Sequence, residues 1–344
     1  MTRIGVLTGG GDCAGLDAII RAVVRRGDSE YGDELIGVRN GWLGLLEDDT
    51  VELTVERTAG ILTRGGTFLC TSRTDPLGAG GDGVATIRRT MQRHGIEALV
   101  VIGGDGTLGG ARDASLEGIP LVGVPKTIDN DVGGTDVSVG FHTAVQVATD
   151  AIDRLYTTAE SHHRVMVIEV MGRHAGWIAT HAGLAGGADA ILIPEHRFDL
   201  DELCDQLRQR KARGSSFSIV VVAEGARPDG WVYPQEEPLP GNHTTLVPSG
   251  IGIMLQQEIV ARTGFDARAT ILGHVLRGGT PSAYDRIIAT RFGIAAVDAI
   301  HDGRFGTMTA LRGARVVQVD LVEVLNARNP LDPELYAAAA VFFG

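Results

Sequence analysis

Ala98-Leu99-Val100-Val101-Ile102-Gly103-Gly104-Asp105-Gly106-Thr107 is an unbroken apolar run that ends in a glycine-aspartate cluster. Five consecutive apolar residues without polar alternation predict a strand buried on both faces, as in a parallel sheet. A second run, residues 121–124, leads into Pro125-Lys126-Thr127-Ile128-Asp129-Asn130-Asp131. Parallel sheets bind ligands beyond the carboxyl ends of their strands. Here those ends carry three carboxylates, a lysine and several unhindered backbone N–H groups. Such groups hold Mg2+ and phosphates and take a proton from a hydroxyl. The pattern points to phosphoryl transfer.

The same alternation extends outward. Residues 4–7 precede Gly9-Gly10-Gly11-Asp12 and a helix over Leu16–Arg26. A short helix follows the Gly103–Thr107 cluster, and a long one is expected over residues 143–161. Val165–Val170 and residues 190–193 and 219–223 are further buried strands. This βα alternation predicts an α/β fold with parallel, doubly wound sheets, most naturally two of them. Residues 227–248, rich in proline, form a polar excursion that reads as a surface loop.

At 344 residues the chain is large for one core, so two lobes are expected. Glycine accounts for 48 residues, about twice the usual share near ~7%. The glycines cluster at strand ends, where they let backbone approach a ligand or turn tightly. The net charge of −12 disfavours nucleic acid and anionic membranes as partners. Cys13, Cys70 and Cys204 are far apart, which argues against a disulfide framework or a thiolate zinc site. No apolar run approaches a membrane span, and no secretory leader precedes the first strand. A cytoplasmic enzyme is the expectation.

Each motif has a plainer alternative. Gly104-Asp105-Gly106-Thr107-Leu108-Gly109 fits a dinucleotide fingerprint, but the next strand ends in a lysine where a ribose-binding acid belongs. Gly9–Asp12 is either an anion-binding turn or a tight βα turn. Asp129 and Asp131, two apart, share a face if the chain is extended; otherwise they sit in an Asx-type turn. In the second half, Arg164 precedes a strand, Met171-Gly172-Arg173 follows it, and Glu224-Gly225 ends another. Arg268, His274 and Arg277 flank residues 271–273. Strand-end arginines clamp phosphates. Glu224 either binds sugar hydroxyls or pairs a charge. The histidines 142, 162, 163, 174 and 181 lack zinc spacing and read as packing or surface residues.

In these motifs the chain resembles the bacterial-type 6-phosphofructokinases, especially their actinobacterial branch. The resembling segments are residues 7–15, Arg64-Gly65-Gly66-Thr67, residues 103–107, 125–131, 161–176, 222–225 and 272–279, and Tyr284-Asp285-Arg286. The resemblance implies two Rossmann-like doubly wound lobes with the active site between them. Residues 1–140 with about 275–305 would bind the donor and Mg2+; residues from about 141 to 274 with 306–344 would bind the sugar phosphate. It implies a glycolytic kinase that transfers a phosphoryl group from ATP to the 1-hydroxyl of fructose 6-phosphate.

By the same resemblance, Asp129 is the general base and Asp105 the Mg2+ residue. Thr127 and Asp131 position the sugar and the transferring group, and Arg173 and Arg73 stabilise its charge. Gly10, Gly104, Gly106 and Thr107 line the donor. Met171, Gly172, Arg173 and Glu224 line the sugar. Arg164, Arg268, His274 and Arg277 hold the 6-phosphate, Arg164 and Arg268 reaching in from a neighbouring subunit. A homotetramer is therefore implied, with a dimer as the alternative.

The donor motifs are mixed. Gly106 leaves room for the α-phosphate of ATP, whereas Lys126 is typical of pyrophosphate users; steric admission is the harder condition and favours ATP. Asp17 stands where the family has asparagine and adds negative charge near the first helix. Arg21, Arg25, Arg154 and Lys211 resemble effector-site cations, but Val55 and Ala59 replace an arginine and a serine. Pyrophosphate as donor, or another acceptor such as sedoheptulose 7-phosphate, are the competing readings. A non-catalytic sugar-phosphate sensor is a third, against which intact Asp105, Asp129 and Arg173 argue.

Overall fold

A computed structural model describes residues 1–77, 82–230, 250–326 and 328–344. The proline-rich excursion lies, from residue 231 on, outside the described residues. The chain opens with β1 (Arg3–Thr8), α1 (Leu16–Arg26), β2 (Glu34–Val38), α2 (Trp42–Glu47), β3 (Thr50–Leu53) and α3 (Val55–Thr58). There follow α4 (Gly83–His94), β4 (Ala98–Gly103), α5 (Asp105–Leu116), β5 (Leu121–Pro125) and α6 (Phe141–His162). Next come β6 (Val165–Val170), α7 (Trp177–Ala185), β7 (Ala190–Leu192), α8 (Leu200–Ala212), β8 (Ser218–Ala223), α9 (Ile251–Thr263) and β9 (Ala267–Ile271). The last part holds α10 (Ala283–His301), β10 (Thr307–Arg312), β11 (Arg315–Asp320), α11 (Leu321–Val324) and α12 (Pro333–Ala340).

Two compact units result: Met1–Thr143 with Arg277–Asn329, and Ala144–Leu276 with Pro330–Gly344. The first holds a seven-stranded sheet in the order β11-β10-β5-β4-β1-β2-β3. Its five central strands are parallel; β3 and β11 run antiparallel at the two edges. The strand order reverses between β1 and β4, which is the topological switch point of a doubly wound sheet. The loops that leave β1, β4 and β5 all emerge at that carboxyl edge. The second unit holds a four-stranded parallel sheet in the order β7-β8-β6-β9.

The long buried strands form as their apolar runs predict: β4, β5, β6 and β8 are buried at every residue. One face of the first sheet meets a core built from Leu7, Trp42, Ile87, Leu99, Leu108 and Met308. On α10, Gly293 lies against α1, where an added Cβ would stand 2.7 Å from the Ala22 side chain and from the Ile19 carbonyl. Contact that close explains the glycine.

One boundary differs from the sequence expectation. The resemblance places residues 306–329 in the second lobe, but β10 pairs in parallel with β5, and β11 pairs antiparallel with β10. Without β10, β5 would expose an unpaired, fully buried-type edge; pairing satisfies it. That segment therefore completes the first sheet. Among the described residues no helix is long and apolar enough to cross a membrane.

Asp285, fully buried on α10, secures the loop into α6. Its carboxylate accepts from the Gly140 N–H at 2.9 Å, the Thr143 N–H at 2.7 Å and the Thr143 hydroxyl at 2.5 Å. Asp285→Ala leaves these donors unsatisfied and is expected to cost about 3 kcal/mol. Asp285→Asn, which keeps one acceptor, should cost less. Denaturant midpoints of both variants against the parent check the order.

Candidate active site

Three loops of the first unit meet around Thr107 and Lys126. The helix α5 starts at Asp105 itself, inside the glycine cluster, so Asp105, Gly106 and Thr107 form its first turn. The sequence reading places a glycine turn before a short helix; instead Gly104 is the cap, and its carbonyl accepts the Leu108 N–H at 2.9 Å. N–H groups of a first turn have no partner within the helix, and they attract anions. A Cβ at Gly106 would meet nothing within 4 Å. The space that the sequence reading requires above this residue is open.

Of the two readings of the glycine turn after β1, the first two donors follow the tight βα turn. The Gly9 N–H donates to the Ile102 carbonyl and the Gly10 N–H to the Ser72 carbonyl, both at 2.9 Å. Those two donors are spent on the protein. Gly10 has φ +80°, and a Cβ there would touch the Thr107 hydroxyl at 3.4 Å. The Thr71 hydroxyl donates to the Gly10 carbonyl at 2.6 Å. This stitching fixes the segment that presents the exposed Arg73. Arg277 donates to the Asp12 carbonyl at 3.3 Å, which puts its guanidinium beside the same turn.

Lys126, only 2% exposed, fills the middle of this arrangement. Its ammonium donates to the Gly9 carbonyl at 3.1 Å and to the Gly11 carbonyl at 2.5 Å. Burial pushes its pKa down from the usual lysine range, Cys13 pulls it back up, and Arg277 adds to the lowering. Asp17, fully buried on α1, accepts the Phe68 N–H at 3.0 Å and lies 3.6 Å from Arg64. It anchors the residue 64–68 loop. Desolvation pushes its pKa up to about 6.

The aspartate run is a turn, not an extended segment. Asn130 has φ +54°, a left-handed conformation that asparagine tolerates, so Asp129 and Asp131 do not share a strand face. The buried Asn130 side chain holds the turn: its Oδ1 accepts the Ser138 N–H at 2.8 Å, and its Nδ2 donates to the Asp136 carbonyl at 3.2 Å. The Asp129 N–H donates to the Thr127 hydroxyl at 3.2 Å, a local ST-turn bond. Asn130 and Ser138 escape the sequence reading, although asparagine between two aspartates is itself a left-handed-turn signal.

Asp105 and Asp131 form an electrostatically strained pair. Burial pushes Asp105 up to about 6, the Asp131 charge adds to the rise, and Arg328 opposes it. Burial likewise raises Asp131, against Arg328. Two desolvated carboxylates with little compensation favour a cation. Among the described residues no cluster of three or more His, Cys, Asp or Glu could hold a metal. Two carboxylates suit Mg2+, which keeps several waters and takes its other ligands from substrate phosphates. The residues present fit that ion.

The second unit carries the other expected residues, at two opposite edges of its sheet. At the carboxyl edge, Met171-Gly172-Arg173 follows β6 and Glu224-Gly225 follows β8. The Gly225 N–H donates to the Gly172 carbonyl at 3.1 Å, and a Cβ at Gly225 would lie 2.0 Å from the Arg173 carbonyl oxygen. The exposed His274 follows β9. Arg164 and Arg268 instead sit at the amino edge, where β6 and β9 begin in register. There Arg164 pairs with Asp266 at 2.5 Å, and Arg268 bonds the same carboxylate. The six-residue strand β6 separates the two edges by about 17 Å. The strand-end arginines therefore fall into two sets, in the order the sequence gives them, one before the strands and one after. Lys211, read as an effector cation, lies over the Phe265 ring at 4.1 Å.

Residues 3–300 match the phosphofructokinase family. The chain is 56% identical over 345 residues to a pyrophosphate–fructose 6-phosphate 1-phosphotransferase of Streptomyces coelicolor, covering 99% of this chain and 100% of the relative. It is 51% identical over 337 residues to ATP-dependent 6-phosphofructokinase 3 of the same organism, covering 98% of each. Its fold superposes on phosphofructokinase from Saccharomyces cerevisiae with a TM-score of 0.81 at 32% identity, covering 95% of this chain and 45% of the yeast chain. The chain thus spans less than half the length of that yeast protein. A doubly wound fold with these strand-end loops defines a phosphotransferase architecture, and this chain belongs to the phosphofructokinase family.

The Asp105 shift has a measurable consequence. Unfolded, the carboxyl titrates near 4; folded, it holds its proton to about 6. Between those values the folded state binds the extra proton, so stability falls as pH rises through that window. Asp17 contributes a fall of the same sign. The Asp105 side chain is 42% exposed, so solvent screens part of its share. Asp105→Asn is expected to be more stable than the parent above pH 6 by on the order of 1 kcal/mol, and equal to it at pH 4. Urea midpoints at pH 4 and pH 8 measure the difference; a less stable variant at pH 8 would overturn the desolvation account.

Proposed function

We propose that this chain is a 6-phosphofructokinase that transfers the γ-phosphoryl group of ATP to the 1-hydroxyl of fructose 6-phosphate, giving fructose 1,6-bisphosphate. One observation carries the choice of donor: the space above Gly106 at the start of α5, beside the desolvated Asp105–Asp131 pair, is open. A nucleotide needs that room for its α-phosphate and its nucleoside.

Asp129 accepts the proton as the sugar hydroxyl attacks the γ-phosphorus; the bond to the bridging oxygen breaks and ADP leaves. Phosphoryl transfer demands alignment and charge neutralisation more than covalent help from the protein. Thr127 and Asp131 orient the acceptor and the transferring group. Asp105, with Asp131 beside it, would hold Mg2+, which when bound neutralises charge on the donor phosphates. The α5 first turn at Gly104, Gly106 and Thr107 receives phosphate oxygens, and Gly10 packs the turn beside it. Arg73 and Arg173 offset the charge on the moving phosphoryl group.

Met171, Gly172 and Glu224 line the sugar, and His274 and Arg277 hold its 6-phosphate. Arg164 and Arg268, at the amino edge of the second sheet, serve a neighbouring subunit's sugar phosphate. Their distance from Arg173 within one chain supports self-association, as a homotetramer or, failing that, a dimer. The reaction belongs to glycolysis in the cytoplasm.

Pyrophosphate is the second reading for the donor. It is favoured by the 56% identical relative that bears that name and by Lys126, whose ammonium has three donors and spends two on Gly9 and Gly11. The third N–H suits a small anion. Initial rates with fructose 6-phosphate and Mg2+, supplying ATP and pyrophosphate in parallel, decide. Turnover with ATP is expected; turnover with pyrophosphate alone would assign the donor to Lys126. A sugar-phosphate panel that includes sedoheptulose 7-phosphate tests the acceptor.

Asp129→Asn tests the chemistry. The expected loss is about 10²- to 10⁴-fold in kcat with little change in KM, the mark of a proton acceptor used in the transition state. Retained turnover would remove Asp129 from the mechanism.

A further inference from the structure

The family match ends at residue 300, yet residues beyond it reach the aspartate turn. Leu321 and Val324 of α11 are buried in the core of the first unit. Val324 presses on Gly134 so closely that a Cβ there would lie 2.2 Å from it. The Asn329 N–H donates to the Asp131 carbonyl at 2.9 Å, and its Nδ2 donates to the Asn130 carbonyl, also at 2.9 Å. Two adjacent carbonyls of a left-handed turn are thus held by a single asparagine. Its neighbour Arg328 stands 4.0 Å from Asp105.

We propose that Arg328 is the built-in counter-ion of the Asp105–Asp131 pair, held in place by the Asn329 clasp, and that it competes there with an incoming divalent cation. This rests on the reading of Asp105 as the Mg2+ residue. The geometry carries it. Two half-buried carboxylates in one loop cluster call for compensating charge when no metal is bound. Arg328 supplies it from the half-exposed side, at a distance that attracts without a close hydrogen-bonded pair. The guanidinium has a flexible stem and its side chain is 54% exposed, so it can yield. Asp105 and Asp131 would hold a divalent cation only once the tethered Arg328 guanidinium swings away. Asn329 fixes the carbonyls of the turn and thereby sets where Arg328 begins.

Direct Mn2+ binding to the whole protein at pH 8, without donor or acceptor and followed by electron spin resonance, tests this. Arg328→Gln is expected to tighten Mn2+ binding about threefold, because a nearby positive charge is gone. Arg328→Lys, which keeps the charge, should stay near the parent. Asn329→Ala should tighten binding by less than Arg328→Gln, because the guanidinium is loosened but present. Thermal melts of all three variants establish that each is folded. Unchanged affinity in folded Arg328→Gln overturns the counter-ion while leaving the metal site standing. If its Mn2+ affinity is unchanged and the KM for the phosphoryl donor rises, Arg328 grips the donor instead, and the proposal fails in that direction. If the parent itself binds no Mn2+, the metal reading of Asp105 fails and the counter-ion role fails with it.

Discussion

The Lys126 ammonium, buried and shared between the Gly9 and Gly11 carbonyls, is the constraint on which the rest of the first unit's site depends. It ties the end of β5 to the loop after β1, across the intervening β4. A charge so deeply placed is tolerated only because backbone oxygens replace its water. Around it the Gly9 and Gly10 N–H groups are satisfied by Ile102 and Ser72, so the glycine turn is a rigid wall. The open space that remains lies over Gly106, at the start of α5. The local backbone thus leaves open space at the first turn of α5 and closes it at the turn after β1.

The acidic groups work against stability. Asp105 and Asp131 are desolvated near one another, and the chain spends buried contacts on holding them there. Asn130 in a left-handed conformation, Ser138 beneath it and Asn329 from the chain's last part all fix one turn. Electrostatic strain held by order around it suits the catalytic role proposed for this turn. Asp285 plays the matching role for the next loop along the chain, binding Gly140 and Thr143 where α6 begins.

The fold was legible where burial on both faces forced an unbroken apolar run. β1, β4, β5, β6 and β8 stood out for that reason, and the helix over Leu16–Arg26 was read with its observed bounds. β9, β10 and β11 were not legible as strands. β9 and β11 are only half buried, and β10 mixes Thr and Arg with its apolar residues, so neither period nor run marks them. The placement of residues 306–329 with β5 is a long-range pairing that no local pattern encodes. At the site, the residue types were legible and their directions were not. Asp129 and Asp131 looked co-facial in an extended chain; one left-handed residue between them undid that. Arg164 and Arg268 precede their strands in sequence and Arg173 follows one, and the register of β6 with β9 keeps the two kinds at opposite edges.

By itself, then, the sequence determined the class of chemistry and the architecture that carries it. Carboxylates, a lysine and glycines at the ends of apolar runs admit few uses, and alternating runs and helices admit few sheets. Tertiary structure decided which backbone donors are spent and which stay open, that Lys126 is shared between two carbonyls, that Asp17 anchors a loop, and that Arg328 and Asn329 come back to the aspartate turn. These depend on contacts between residues as many as 223 positions apart, Arg328 and Asp105. Local propensity carries no record of such contacts; they exist only once the sheet has brought its strand ends together.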